Sequence, residues 1–436
     1  MLLEFRFQNF KSFCEETTLS MTADPEQKGL DYSLFNINNY GKDIRCLCSS
    51  VIYGPNASGK STVISAMDTL RSIVLRGNIR NSGGNGSLNH AATNLSLIPN
   101  QMLTQPEPVE FFIDFVIDSY RIQYSIAIDL GLFLDAKHDR NILSEVLTVN
   151  GSTIFERKSA SLKVDPCKDL ASLFSKSAAD NASAVLIAAE SLDREELFLT
   201  GGFRLIFSQA LVKLITDWFS KQLIIVYRAD GSHLEHYLSN LGENSRYVSE
   251  TLHSAVKLFG ITANPIRYVT EKDCDTELVS QIDFGDSHPA ELSAEVYESY
   301  GTIRFINLFP LVIRALQTGA TLVVDDFDAS IHPMAVMNIL NLFHNDELNA
   351  NHAQLVFVTH NPVYLNPNLL RRDEIKFVER DSDTHTSTLY SLSDFGTGIG
   401  EDEDYLKRYL ANMYGAIPDS DFSSIFEKLN APAESE

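Results

Sequence analysis

The sequence predicts an α/β fold: a mostly parallel sheet with helices outside, an antiparallel β subdomain and a helical insertion. Three observations lead there. First, the apolar run Ser50-Val51-Ile52-Tyr53 breaks into a glycine-rich turn. Val63, Ile64, Met67, Leu70, Ile73 and Val74 then recur at helical spacing, so the order is strand, loop, helix. Second, two short apolar strands near residues 321–324 and 355–358 alternate with helices and end in polar residues. Such alternation marks parallel strands covered by helices. Third, paired strand-like runs separated by tight turns read as antiparallel hairpins.

The expected organisation is an N-terminal lobe over 1–160, a mainly helical insertion over 161–290 and a C-terminal lobe over 291–436. In the first lobe, 2–7 and 17–21 read as strands around Asn9-Phe10-Lys11-Ser12-Phe13. Residues 109–117 and 121–129 form a hairpin, and 143–149 with 153–156 another, turning at Asn150-Gly151. Residues 76–86, with Gly83, Gly84 and Gly86, read as a mobile loop. In the insertion, Leu205, Ile206, Leu211, Leu214, Ile215 and Trp218 make an apolar helical face. No sustained heptad array is present, which argues for a compact helical insertion over a long coiled-coil arm. In the last lobe, Phe305, Ile306, Phe309, Val312 and Leu316 mark a helix before 321–324, and another helix ends at 340–343. Gly396, Gly398 and Gly400 lack dinucleotide-binding spacing and read as a linker to a final helix around Tyr405, Leu406 and Tyr409. The tail 430–436 should fray.

The 436 residues are 44% hydrophobic and 21% charged, enough for a sizeable core. The net charge of -23 argues against non-specific coating of nucleic acid, while a local basic groove stays open. Five cysteines, odd in number and irregular in spacing, fit neither a disulfide framework nor a zinc site. Reduced thiols, no opening targeting segment and no apolar run of ~20 residues lead to an expectation of a cytoplasmic chain without a membrane segment.

Four elements carry chemistry. Gly54-Pro55-Asn56-Ala57-Ser58-Gly59-Lys60-Ser61-Thr62 fits G-x-x-x-x-G-K-[ST] without mismatch. Its glycines let successive backbone N–H groups face one phosphate, and the following helix adds its positive end. Lys60 is expected at the β- and γ-phosphates of ATP, and the Ser61 hydroxyl on Mg²⁺. The strand ending in Asp325-Asp326 supplies the acid for Mg²⁺, assigned to Asp325. Thr359-His360-Asn361 puts an imidazole at the next strand end, where it can sense the γ-phosphate. Ser299-Tyr300-Gly301-Thr302, at the start of a helix, is a further anion-site candidate.

In this order the elements resemble the ABC-type P-loop ATPase heads of the SMC and RecF kind. Asn9-Phe10-Lys11-Ser12-Phe13 is similar to their opening segment, and Asp328-Ala329-Ser330-Ile331-His332-Pro333 to the segment that lines their dimer seam. More narrowly, Leu2-Leu3-Glu4-Phe5, Arg371-Arg372-Asp373-Glu374-Ile375 and Ser391-Leu392-Ser393-Asp394-Phe395 resemble the RloA/AbiL-type AAA-family ATPases of bacterial phage defence and abortive infection. The resemblance implies ATP hydrolysis with Asp326, Lys60 and His360 as catalytic residues. Asp326 stands where these heads carry Glu, so hydrolysis is expected to be slow. It also implies a homodimer or higher homo-oligomer that sandwiches ATP, each P-loop being completed by Ser299 and Gly301 of the partner. A separate nuclease-like effector is the implied partner. Three readings follow: a sensor or regulator of that effector, a RecF-like clamp binding DNA directly, and a nuclease using Asp381 and Asp383, for which too little chain follows. No Q-loop glutamine is placed; Gln101 and Gln123 are candidates, and Lys11 is a candidate nucleotide contact.

Overall fold

A computed structural model describes residues 1–39, 42–80, 95–135, 137–174, 182–227, 245–247, 257, 259, 264–269, 277–282, 290–396 and 404–417. At its centre lies a six-stranded sheet. Its spatial order is Leu223–Val226, Thr321–Val324, Gln354–Val358, Ser49–Tyr53, Ile375–Arg380 and Ser387–Ser391. The first five strands pair in parallel, and the last closes an antiparallel hairpin. The apolar runs are continuous because both faces are covered, as buried parallel strands require.

Alternate residues serve opposite faces. Ile52, Val323, Val356, Val358 and Val378 point into one core with the helix Lys60–Arg76. Val51, Tyr53, Leu322, Val324, Leu355 and Phe357 point into another, under the helices Tyr300–Thr318 and Pro333–Phe343. The first core continues into a seven-stranded antiparallel sheet ordered Ser161–Val164, Ser152–Lys158, Asn141–Val149, Tyr120–Asp129, Val109–Ile117, Leu2–Gln8 and Thr17–Ser20. The fully buried Gln354 ties the two sheets together. Its amide accepts from Leu2 N at 2.7 Å and donates to Leu2 O at 3.0 Å and Leu47 O at 3.1 Å.

The α/β class and both antiparallel hairpins match the sequence expectation. The mainly helical insertion over 161–290 does not hold throughout. Its first half contains the helices Ala182–Glu190 and Gln209–Asp217, but Leu223–Val226 is the edge strand of the central sheet. Beyond it, Ser245–Tyr247, Ile266–Val269, Glu277–Ile282 and Ala290–Ser293 form a four-stranded antiparallel sheet. A four-residue apolar run cannot be told from a helical segment by periodicity, which explains the difference. The expected loop after Arg76 and the glycine linker after Gly396 fall mostly outside the described residues, as do Cys274 and the tail. The other four cysteines are free thiols. No described helix is long and apolar enough to cross a membrane.

Candidate functional site

The glycine-rich loop leaves the carboxyl end of Ser49–Tyr53 and enters the helix Lys60–Arg76. Its two glycines are required by space. A Cβ on Gly54 would collide with the Val378 carbonyl. Gly59 has φ +113°, and a Cβ there would come within 2.8 Å of Ser387 Oγ and 3.0 Å of Ser12 Oγ. The loop forms one wall of a cavity of about 400 Å³, together with Lys60, Ser61 and Thr62. The opposite walls come from far along the chain: Lys11 and Ser12, Asp326 and His360, and Arg380.

Lys60 is only 4% exposed. Its Nζ donates to the carbonyls of Gly54 and Pro55, each at 2.8 Å, so the ammonium is held by its own loop. Burial lowers its pKa to about 8, against the opposing pull of Asp326 and Asp325. Ser61 Oγ donates to Asp325 Oδ1 at 3.0 Å, joining the loop to the end of Thr321–Val324. Burial raises the Asp325 carboxyl above its ordinary range, with the Ser61 hydrogen bond opposing. The two oxygens form a hard donor pair of the kind that holds Mg²⁺ beside phosphates. Among the described residues there is no cluster of three or more His, Cys, Asp or Glu that would make an all-protein metal cage.

Asp326 has a left-handed backbone, φ 48°, in the turn after the strand. That turn is held by the buried Arg304, whose Nη2 donates to Asp325 O at 3.2 Å and Asp326 O at 2.5 Å. The Asp326 carboxylate is half exposed, 3.9 Å from His360 Nε2. Burial and the neighbouring Lys60 push the His360 pKa down, favouring the neutral imidazole. Thr359, before it, donates from Oγ1 to Asp328 Oδ2 at 2.8 Å and accepts from Asn361 N at 2.9 Å. The segments after the two strands are therefore tied to one another.

The fold thus brings the loop, Asp326 and His360 to one cavity, with Asp325 reaching its edge through Ser61. It does not bring Ser299 or Gly301 there. Ser299 is the exposed N-cap of Tyr300–Thr318 and accepts from Thr302 N at 3.1 Å. Gly301 packs so closely on Ser330 that a Cβ would strike the Ser330 carbonyl. Gln101 and Gln123 do not line the cavity, and Gln123 donates instead to Asp114 at 2.8 Å. Lys11 lines it while donating to Ser65 Oγ at 2.5 Å.

Three residues were missed by sequence reasoning: Arg304, Arg380 and Ser387. Arg304 carried a readable signal, being a cation beside the apolar Phe305 and Ile306 of a buried helical face. Ser387 carried none. Its Oγ donates to Ser58 O at 2.6 Å and its N to Ser12 O at 2.7 Å, pinning the loop to the opening segment. Ser387→Ala is expected to cost about 1 kcal/mol in denaturant unfolding, the net worth of one hydrogen bond. An unchanged midpoint would show that the Ser58 carbonyl does not need this donor.

A family model described as "AAA domain, putative AbiEii toxin, Type IV TA system" matches residues 49–197 and 203–366, more than half of the chain. Among solved structures, the chain is similar to an SMC head domain from Thermotoga maritima, with 14% identity and a TM-score of 0.38, covering 89% of this chain and 98% of that one. It is also similar to an SMC head bound to the C-terminal winged-helix domain of ScpA, with 12% identity and a TM-score of 0.39, covering 89% and 97%. No curated protein matches the chain.

Proposed function

The chain belongs to the family described as "AAA domain, putative AbiEii toxin, Type IV TA system", and from that premise we propose that it binds and slowly hydrolyses ATP to regulate a separate effector in bacterial defence. The carrying observation is the 3.0 Å bond from Ser61 Oγ to Asp325 Oδ1, at the edge of a cavity lined by Ser61, Lys60, Asp326 and His360.

The geometry supports the following proposed roles. The loop backbone cradles the phosphates. Lys60 exchanges its two loop carbonyls for the β- and γ-phosphate oxygens. Ser61 and Asp325 would hold Mg²⁺, which would supply positive charge beside the phosphates. Asp326 orients the attacking water and draws its proton. His360, neutral and 3.9 Å from Asp326, donates a hydrogen bond to the γ-phosphate. Asp326→Glu is expected to leave phosphate release unchanged or faster, because the longer side chain reaches the water directly. Complete loss of phosphate release would show that the shorter acid is required.

The exposed start of Tyr300–Thr318 would present Ser299, with Gly301 behind it packed on Ser330, to the P-loop of a partner copy. Closure then depends on ATP, because the γ-phosphate charge is shared by anion sites on two chains. Native mass measurement of a hydrolysis-blocked variant with ATP and Mg²⁺ tests this; an unchanged mass and shape would refute head pairing. A toxin–antitoxin family description is consistent with a second component, and a stoichiometric partner retained by wild type but altered in Lys60→Ala would identify it. A bare homo-oligomer would instead favour direct action on DNA, which the net charge of -23 disfavours. Asp381 is occupied by a turn, accepting from Asp383 N at 3.0 Å and Thr384 N at 2.7 Å, which does not favour a nuclease role.

A further inference from the structure

The hairpin Ile375–Arg380 and Ser387–Ser391 is the part of the cavity that no motif announces. Phe377 is in register with Tyr53, so Arg380 lies three residues past that pair, as Asn56 does on the loop strand. Both therefore stand just beyond the carboxyl edge of the parallel sheet, where α/β proteins place their ligands. Arg380 is also paired across the hairpin with Ser387. Directly opposed residues in an antiparallel pair share a face. Ser387 uses that face to donate to Ser58 of the loop, so Arg380 presents its side chain to the same loop and lines its cavity.

The guanidinium is oriented, with Nε donating to the His385 carbonyl at 3.0 Å. Among the described residues no carboxylate pairs with it. In a chain of net charge -23, a half-buried arginine without an acid beside it is a site for an external anion. Its side of the cavity is defined by strand order. The strands bearing Asp325, Asp326 and His360 lie on one flank of Ser49–Tyr53, and the strand bearing Arg380 lies on the other. With acid and imidazole at the hydrolysed end, as in the roles proposed above, the arginine stands on the opposite flank of the loop.

We propose that Arg380 is a nucleotide-contacting residue that engages the α- and β-phosphates, opposite Asp326 and His360. The proposal rests on the P-loop reading above. It extends that reading to a residue outside any motif and makes the hairpin a wall of the nucleotide site.

The test is calorimetric titration of ATP and of ADP into the full chain with Mg²⁺, for wild type, Arg380→Ala, Arg380→Lys and Lys60→Ala. Arg380→Ala is expected to weaken ATP and ADP alike, by about 10-fold, the scale of one charge-assisted contact. Arg380→Lys should recover part of the loss, since the charge remains but the planar fork does not. The melting temperature of the unliganded protein should fall only slightly, by the loss of one exposed hydrogen bond to the His385 carbonyl. Unchanged affinity for both nucleotides in Arg380→Ala, with a wild type that binds, overturns the proposal alone. A loss confined to ATP places the arginine at the γ-phosphate and overturns the α/β assignment. A wild type that binds neither nucleotide removes the P-loop reading and this proposal with it.

Discussion

Lys60→Ala is expected to lower ATP turnover by on the order of 10²–10³-fold, the usual cost of removing one preorganised donor from a developing anion. The ammonium is already inside the loop, 2.8 Å from the carbonyls of Gly54 and Pro55, so it needs only to change partners when phosphate arrives. No other described side chain takes its place, since Lys11 is held on Ser65 and Arg380 enters from the far flank. The effect should depend on pH. Burial lowers the Lys60 pKa from 10.5 to about 8, so the unliganded protein loses this charge as pH rises through about 8. Phosphate binding favours the charged form. ATP affinity should therefore be greatest below pH 8 and fall above it in wild type, and the slope should vanish in Lys60→Ala. The same shift opposes folding while the ammonium is charged, because the folded chain binds the proton less tightly than the unfolded chain does. That penalty is relieved as pH rises from about 8 towards 10.5. Phosphate release and calorimetry across this range check the expectation, and full turnover by Lys60→Ala would remove the P-loop assignment.

Arg304→Ala is expected to combine a stability loss of about 3 kcal/mol with a fall in turnover. A buried charged donor to two carbonyls is worth about this much, and its removal leaves both acceptors unsatisfied. Here the acceptors are the carbonyls of Asp325 and Asp326, the residues that hold the metal and orient the water in the proposed mechanism. The left-handed turn at Asp326 is costly for a residue with a side chain and persists only while its surroundings fix it. Arg304→Lys should not restore it, because one ammonium does not reproduce the fork. Denaturant unfolding and phosphate release measure the two effects separately. If Arg304→Ala unfolds and hydrolyses like wild type, the turn is held by the strand alone.

The sequence made the chemistry-bearing strand ends legible because each is announced locally. An apolar run stops, and glycine, acid or imidazole follows within a few residues. Hairpins were legible for the same reason, as at Asn150 and Gly151, both with positive φ. The strand Ile375–Arg380 was not, because its partner Ser49–Tyr53 lies more than 300 residues away and nothing local encodes the pairing. Leu223–Val226 was too short to separate from helix, although its four residues pair in full with Thr321–Val324. Ser387 and Arg304 act by reaching backbone carbonyls of other segments, and a carbonyl has no sequence identity to read. Lys11 was singled out from its segment, and its place in the cavity wall depends on the same long-range closure.

The placement of Ser49–Tyr53 between Gln354–Val358 and Ile375–Arg380 has a consequence during synthesis. While the ribosome is making the first 350 residues, the strand that carries the nucleotide loop has neither of its neighbours, and the face bearing Val51 and Tyr53 waits for the helices Tyr300–Thr318 and Pro333–Phe343. Such distant pairing closes late, since the entropy of bringing remote segments together is lost before any contact repays it. The nascent chain therefore spends most of its elongation with this strand unpaired and Val51, Ile52 and Tyr53 without neighbouring strands. Co-translational chaperone holding, and aggregation of truncated chains that stop before Arg380, are the expected marks of that order of events.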